Sequence, residues 1–168
     1  GIDTIAETPA SRWSTQQYYD ADILAPGKMA TKWGGYLQRV KDFDAAFFGI
    51  KDKEATLLDP QQRILLETSW HALEHAGLTP ESTAGKEVGV FVGVSNVDYD
   101  RHCSRIGACS EPYAGTGIAT SIAANRLSYF YDWRGPSVAL DTACSSSLVA
   151  IHQACNSLRQ QECRLALA

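Results

Sequence analysis

From residue 59 onward, stretches in which hydrophobic residues are spaced as in a helix alternate with hydrophobic runs that are typical of strands. Runs dominated by aliphatic and β-branched residues predict strands at 88–94, 137–141 and 165–168. Stretches with apolar residues at helical spacing predict helices at 59–76, 121–131 and 145–159. Because strands and helices alternate along the sequence, the pattern indicates an α/β fold.

The helix at 59–76 has the clearest boundary signals. Asp59 is placed as its N-cap, Pro60 as its first helical residue and Gln62 as the partner in a capping box. Gly77 supplies the C-terminal stop. Its apolar face is formed by residues three or four positions apart, namely Leu66, Trp70 and Leu73.

The segments outside the helices show further patterns. Lys86–Ser95 holds a β-branched run between glycines, which is typical of a central strand buried on both faces. Asn96–Ser110 predicts a long polar connection, and residues 1–35 predict a loop with short helical turns. The aromatic cluster Phe43–Ile50 predicts core packing, since the basic track of a nucleic-acid platform does not accompany it.

Composition describes an ordinary globular chain, with 168 residues, 45% hydrophobic and 20% charged. No apolar stretch approaches the roughly 20 residues of a membrane-spanning helix. The formal net charge of −4 argues against nucleic acid or an anionic membrane as a partner. Five cysteines, an odd number without a regular framework, predict reduced thiols and a cytoplasmic location.

Both ends of the sequence suggest a piece of a longer chain. The first residue is Gly1 rather than Met, and Leu165–Ala168 is a strand pattern that no turn follows. We expect residues 1–168 to be the amino-terminal part of a larger domain.

Cys144 stands out because it lies where the 137–141 strand meets the 145–159 helix through a turn of small residues. The first turn of a helix has unpaired N–H groups and the positive end of the macrodipole, both of which stabilise a thiolate. The same N–H groups could hold a developing oxyanion. A strand, a tight turn, a nucleophile and a helix also form the elbow that exposes hydrolase serines.

Rival sites are weaker. His71 and His75 are four residues apart in an H-x-x-E-H pattern, so a zinc or binding module without thiol catalysis stays open, although helical geometry places both in solvent. The Gly115 and Gly117 spacing lacks the third glycine of a dinucleotide loop. The other thiols are interpreted as apolar filler or as incidental residues: Cys103, Cys109, Cys155 and Cys163.

Several motifs together resemble one family, the β-ketoacyl synthases or ketosynthases of type I modular polyketide synthases. These motifs are Ala25–Leu37, Asp59–Arg63, Gly89–Gly93, Tyr113–Gly117, Ser121–Tyr129, Arg134–Ser137 and Asp141–Leu148. The resemblance covers nearly the whole chain in the family's order. It implies a thiolase-like fold of α-β-α-β-α layers, of which this chain is most of the first half.

The resemblance also implies a decarboxylative Claisen condensation. Cys144 would accept an acyl chain from the phosphopantetheine arm of an acyl carrier protein, and its N–H would contribute to the oxyanion hole. A malonyl-type extender would then attack the thioester. No cofactor is expected to bind the chain directly, and the full-length domain is expected to be a homodimer.

The resemblance leaves two enzyme alternatives open, a fatty-acid synthase ketosynthase and a thiolase-fold enzyme with different chemistry. Family members use two histidines from the second half of the domain. His152 cannot replace them, because eight helical residues span about 12 Å. We therefore expect residues 1–168 alone to be inactive in condensation.

Overall fold

The computed structural model describes residues 1–168, which divide into two units, 1–40 and 41–168. In the first unit, strands β1 (Ile5–Glu7) and β2 (Trp33–Gly35) form an antiparallel pair, and helix α1 (Thr15–Tyr18) lies between them in sequence. The prediction of loop with helical turns therefore missed this strand pair. Three-residue strands are too short to show a period of two.

The second unit contains a parallel sheet in the order β4-β3-β5. Its strands are β3 (Val88–Gly93), β4 (Ser137–Leu140) and β5 (Leu165–Leu167). The helices are α2 (Asp52–Leu57), α3 (Pro60–His75), α4 (Pro80–Thr83), α5 (Asp98–Arg105), α6 (Ala114–Ile118), α7 (Ile122–Tyr131) and α8 (Ser146–Arg159), with a 3-10 turn at Ala108–Ser110. None of these helices is long and apolar enough to cross a membrane.

Strand β3 is buried on both faces, as its sequence predicted. Val88, Val90 and Val92 belong to a core shared with residues of α3 and α7. Phe91 points the other way and packs with Ala150 of α8. The sheet is thus covered by helices on both sides, and the α/β prediction is confirmed.

Helix α3 keeps its predicted start but not its predicted capping box. Asp59 caps it by accepting a 2.8 Å hydrogen bond from the Gln61 N–H. Gln62 is buried instead, and its amide nitrogen donates to the carbonyl of Gly117 at 3.0 Å. The correction has a tertiary cause, because the carbonyls that Gln62 satisfies come from a segment 55 residues away in sequence.

The segment predicted as a long polar connection, Asn96–Ser110, is largely helical. Helix α5 buries Cys103 completely and leaves Asp98, Arg101 and Arg105 exposed. The glycine-containing stretch after it forms α6, although glycine disfavours helices. Burial of Cys103 in α5 and of Ala114 and Gly117 in α6 supports both helices, and contacts of this kind leave no period in the sequence.

Candidate functional site

Cys144 lies four residues after Leu140, the last residue of β4, and immediately before Ser145, the N-cap of α8. Its side chain is exposed. The expected position at the start of the helix is therefore confirmed to within one residue. Exposure at a strand-to-helix junction distinguishes this thiol from a cysteine that fills a core.

The residue before the cysteine adopts an unusual backbone conformation. Ala143 has φ of 55°, in the left-handed region that non-glycine residues rarely occupy. Its N–H donates a 2.8 Å hydrogen bond to the carboxylate of Asp141. This sharp bend turns the chain from the strand into the helix and leaves Cys144 at its outer corner, as in a nucleophile elbow.

Two serine hydroxyls hold the bend together. The Ser145 hydroxyl donates to the Thr142 carbonyl oxygen at 2.7 Å. The Ser146 hydroxyl accepts from the Thr142 N–H at 2.9 Å and donates to the Ala143 carbonyl oxygen at 2.7 Å. Ser146 is buried and Ser145 is exposed, and their hydroxyls bind different backbone groups of the turn.

Gly93, the last residue of β3, allows the first turn of α8 to approach the sheet. A Cβ at this position would lie 2.8 Å from both the carbonyl carbon and the Cβ of Ser146. Real Cβ atoms do not approach so closely, and the backbone atom cannot move aside. The glycine is therefore a packing requirement of the elbow.

The backbone N–H groups around the thiol differ in their partners. The Ser145 N–H donates to the Thr142 carbonyl at 3.3 Å, and the Ser146 N–H donates to the Ala143 carbonyl at 3.1 Å. The N–H of Cys144 donates to no protein group at hydrogen-bonding distance and angle. A free donor beside an exposed sulfur is the arrangement that can receive the oxygen of an acyl group bound to that sulfur.

The other cysteines lie outside the elbow. Cys103 and Cys163 are buried, as filler residues would be, whereas Cys155 is half-buried and Cys109 is exposed and fills no core. Burial raises the pKa of the Cys103 thiol, as nearby Cys109 also does. The Cys109 sulfur lies 3.1 Å from the Ser104 hydroxyl. None of the five cysteines forms a disulfide.

His71 and His75 are both exposed on α3, as helical geometry predicted. The Nδ1 atom of His71 lies 3.1 Å from a carboxylate oxygen of Glu74. No group of three or more His, Cys, Asp and Glu side chains is arranged to hold a metal ion. The zinc hypothesis gains no support from this arrangement.

Sequence reasoning found Cys144 but missed the residues that shape the elbow. The residue types at these positions, Ala143, Ser146 and Gly93, do not by themselves indicate a functional role. The available signals were the clustering of small residues around the cysteine, the glycine at the end of β3, and the place of all three residues in the motifs Gly89–Gly93 and Asp141–Leu148. Their roles depend on a left-handed torsion angle and on a contact between segments more than fifty residues apart.

The chain is similar to known proteins along its whole length. The sequence model of the family described as "Beta-ketoacyl synthase, N-terminal domain" matches residues 1–168. The chain is 51% identical, over its whole length, to a phenolphthiocerol/phthiocerol polyketide synthase polypeptide of Mycobacterium tuberculosis. It is 47% identical over its whole length to the phthioceranic/hydroxyphthioceranic acid synthase of Mycobacterium bovis.

Solved ketosynthase structures share the fold. The oxazolomycin ketosynthase domain KS7 of Streptomyces albus superimposes with a TM-score of 0.85 and 43% identity over 96% of this chain and 28% of that one. The ketosynthase from module 6 of the bacillaene synthase of Bacillus subtilis gives a TM-score of 0.75 and 35% identity over 95% of this chain and 25% of that one. The chain spans 11% of the first mycobacterial relative and 8% of the second.

Proposed function

The chain belongs to the β-ketoacyl synthase family, and from this membership we propose that Cys144 is the acyl-accepting nucleophile of a condensing enzyme in polyketide biosynthesis. The observation that carries the proposal is the exposed sulfur at an elbow formed by a left-handed Ala143. That geometry presents the thiol to a substrate while the start of α8 lies beside it.

The first half-reaction is acyl transfer. The Cys144 thiolate attacks the carbonyl carbon of an acyl thioester on the phosphopantetheine arm of an acyl carrier protein. The carbonyl oxygen becomes an oxyanion, which the Cys144 N–H stabilises. Collapse of the intermediate expels the phosphopantetheine thiolate and leaves the acyl group on Cys144.

The second half-reaction forms the carbon–carbon bond. A malonyl-type extender thioester loses carbon dioxide, and the resulting enolate attacks the carbonyl carbon of the acyl-cysteine. The bond to the Cys144 sulfur then breaks, which releases the thiolate and gives a β-ketoacyl thioester on the carrier protein. The chain binds no cofactor of its own in this scheme.

This chain is the amino-terminal part of a ketosynthase domain. Its coverage of 28% of a solved ketosynthase chain supports this assignment. The histidines that assist decarboxylation would come from the rest of the domain. His152 does not substitute for them, because it is exposed on α8 and hydrogen-bonded to Asn156 at 2.9 Å.

The proposal also includes a homodimer of the full-length domain and a cytoplasmic location of the protein. Strand β4 is an edge of the parallel sheet, so one side of its backbone has no neighbouring strand in this chain. Val138 of β4 and Tyr129 of α7 are 38% and 90% exposed. An edge strand flanked by exposed apolar side chains is a surface that a second copy could cover.

Acylation by a simple thioester tests the assignment. The protein that carries this chain would be incubated with hexanoyl-N-acetylcysteamine, and the peptides would be analysed by mass spectrometry. We expect a hexanoyl adduct on Cys144 that Cys144→Ala abolishes. Cys109→Ala is the matched control, since it removes the other exposed thiol. An adduct confined to Cys109 would refute the assignment.

A further inference from the structure

We propose that Ser146 is a positioning residue for the reaction at Cys144, because its hydroxyl fixes the peptide plane that carries the Cys144 N–H. This inference rests on the proposed role of Cys144 as the nucleophile. It adds a residue whose hydroxyl contacts neither substrate nor sulfur and acts through the backbone.

The hydroxyl of Ser146 donates to the carbonyl oxygen of Ala143 at 2.7 Å. That carbonyl and the N–H of Cys144 belong to the same peptide group. The group is planar and trans, since the chain contains no cis peptide bond, so its N–H points opposite to its C=O. Anchoring the Ala143 oxygen therefore sets the direction in which the Cys144 N–H points.

A second contact prevents the adjacent torsions from relaxing. The Ser146 hydroxyl accepts a 2.9 Å hydrogen bond from the Thr142 N–H. One side chain thus holds both sides of Ala143, whose left-handed conformation is strained for a non-glycine residue. Without the hydroxyl, the Ala143 oxygen keeps only the longer hydrogen bond from the Ser146 N–H, at 3.1 Å. We expect the turn to relax and the Cys144 N–H to rotate.

Packing holds the clamp itself in place. Ser146 is 5% exposed, and a Cβ on Gly93 would approach its Cβ to 2.8 Å. The side chain therefore has almost no space to move away from the turn. Ser147 is exposed and makes no side-chain hydrogen bond, and this contrast singles out Ser146 within the serine run.

Two reagents separate this role from a general effect on structure. Acyl transfer from hexanoyl-N-acetylcysteamine develops an oxyanion, whereas alkylation by iodoacetamide displaces iodide and develops none. A misdirected N–H should slow the first reaction and spare the second. The full protein that carries this chain would be compared as wild type, Ser146→Ala and the control Ser147→Ala.

For Ser146→Ala we expect the maximal rate of Cys144 acylation to fall by about tenfold to a hundredfold, with the half-saturating thioester concentration and the iodoacetamide rate within about threefold of wild type. Ser147→Ala should match wild type in both reactions. Ser146→Gly, which removes the same hydroxyl, should show the same selective loss and serves if Ser146→Ala does not fold.

Equal acylation of Ser146→Ala and Ser147→Ala would overturn the inference. A parallel loss of acylation and alkylation would also overturn it, because that result indicates a change in thiol access. A wild-type Cys144 that is alkylated but never acylated would refute the proposed function itself, and the positioning role with it.

Discussion

The Nε atom of Arg126 donates a 2.7 Å hydrogen bond to the side-chain oxygen of Gln62. The two N–H groups of the same amide are shared among the carbonyls of Thr116, Gly117 and Ala119, which lie 3.0–3.3 Å from the nitrogen. One buried side chain therefore joins α3, α7 and the α6 segment. Arg126 also pairs with Glu54 at 2.7 Å, which extends the network to α2.

Replacement of Gln62 by alanine should destabilise the protein by about 2–4 kcal/mol, because the Gly117 carbonyl and the Arg126 guanidinium would lose a buried partner. Chemical denaturation would measure the change in the free energy of unfolding. Gln153→Ala is the matched control, since that glutamine is exposed on α8 and should change stability by less than about 0.5 kcal/mol. Equal effects of the two substitutions would contradict the structural role of Gln62.

Two glycines of α6 should respond differently to alanine. A Cβ at Gly117 would lie 2.2 Å from the Leu57 carbonyl oxygen, whereas a Cβ at Gly115 meets nothing within 4 Å. We expect Gly117→Ala to cost at least about 2 kcal/mol through overpacking. Gly115→Ala should be neutral or stabilising by up to about 1 kcal/mol. Thermal denaturation of both variants checks the difference, and a stable Gly117→Ala would show that α6 does not pack on α2 in this way.

The elbow should tolerate glycine but not a branched residue at position 143. Ala143→Val places a β-branched side chain in the left-handed region, where such residues are outliers, and should lower Cys144 acylation by about tenfold or more. Ala143→Gly accepts the same torsion without a steric penalty and should keep the rate within about threefold of wild type. Stopped-flow or quenched acylation assays with the same thioester measure both rates. Normal acylation of the valine variant would argue against a strained elbow.

Tyr131 should make stability sensitive to alkaline pH. Burial raises its pKa above the ordinary value of 10.0, and the hydrogen bond with Ser69 partly opposes the rise. The unfolded chain therefore ionises first as pH increases. The contribution of neutral Tyr131 to the free energy of unfolding is present below about pH 10. It is lost as pH rises through the raised pKa of Tyr131 in the folded state.

Tyr131→Phe should flatten the fall in unfolding free energy above pH 10, because it removes the buried phenol. Tyr129→Phe, on the same helix and 90% exposed, should leave the slope unchanged. Denaturant titrations between about pH 8 and 11 measure these slopes. Identical slopes for the two variants would show that Tyr131 is not the responsible group.

Residues 1–168 expressed alone should form no β-ketoacyl product, even if Cys144 can be acylated. None of the four histidines of the chain is adjacent to Cys144 in the sequence. His152 follows it by eight residues, which span about 12 Å in a helix. Product formation from acyl and malonyl thioesters would be followed by mass spectrometry. The protein that carries this chain provides the positive control, and condensation by the isolated chain would refute the prediction.

The sequence by itself determined the three parallel-sheet strands, the helices α3, α7 and α8, and the position of Cys144. These features follow from local periodicity, caps and turn residues, which act within a few positions of the chain. Val88–Gly93 is the clearest case, because a run of valines, glycines and phenylalanine without polar residues is typical of a strand buried on both faces.

Only the tertiary structure decided what Gln62, Ser146 and Gly93 do. Gln62 is a residue type that is common in capping boxes, yet its side chain is buried and donates to a carbonyl of α6. Ser146 is one of three adjacent serines, and its contact with the sheet depends on Gly93, which lies far away in sequence. Hydrogen bonds and close packing between distant segments leave no period in the sequence, so the pattern could locate the nucleophile but not the residues that position it.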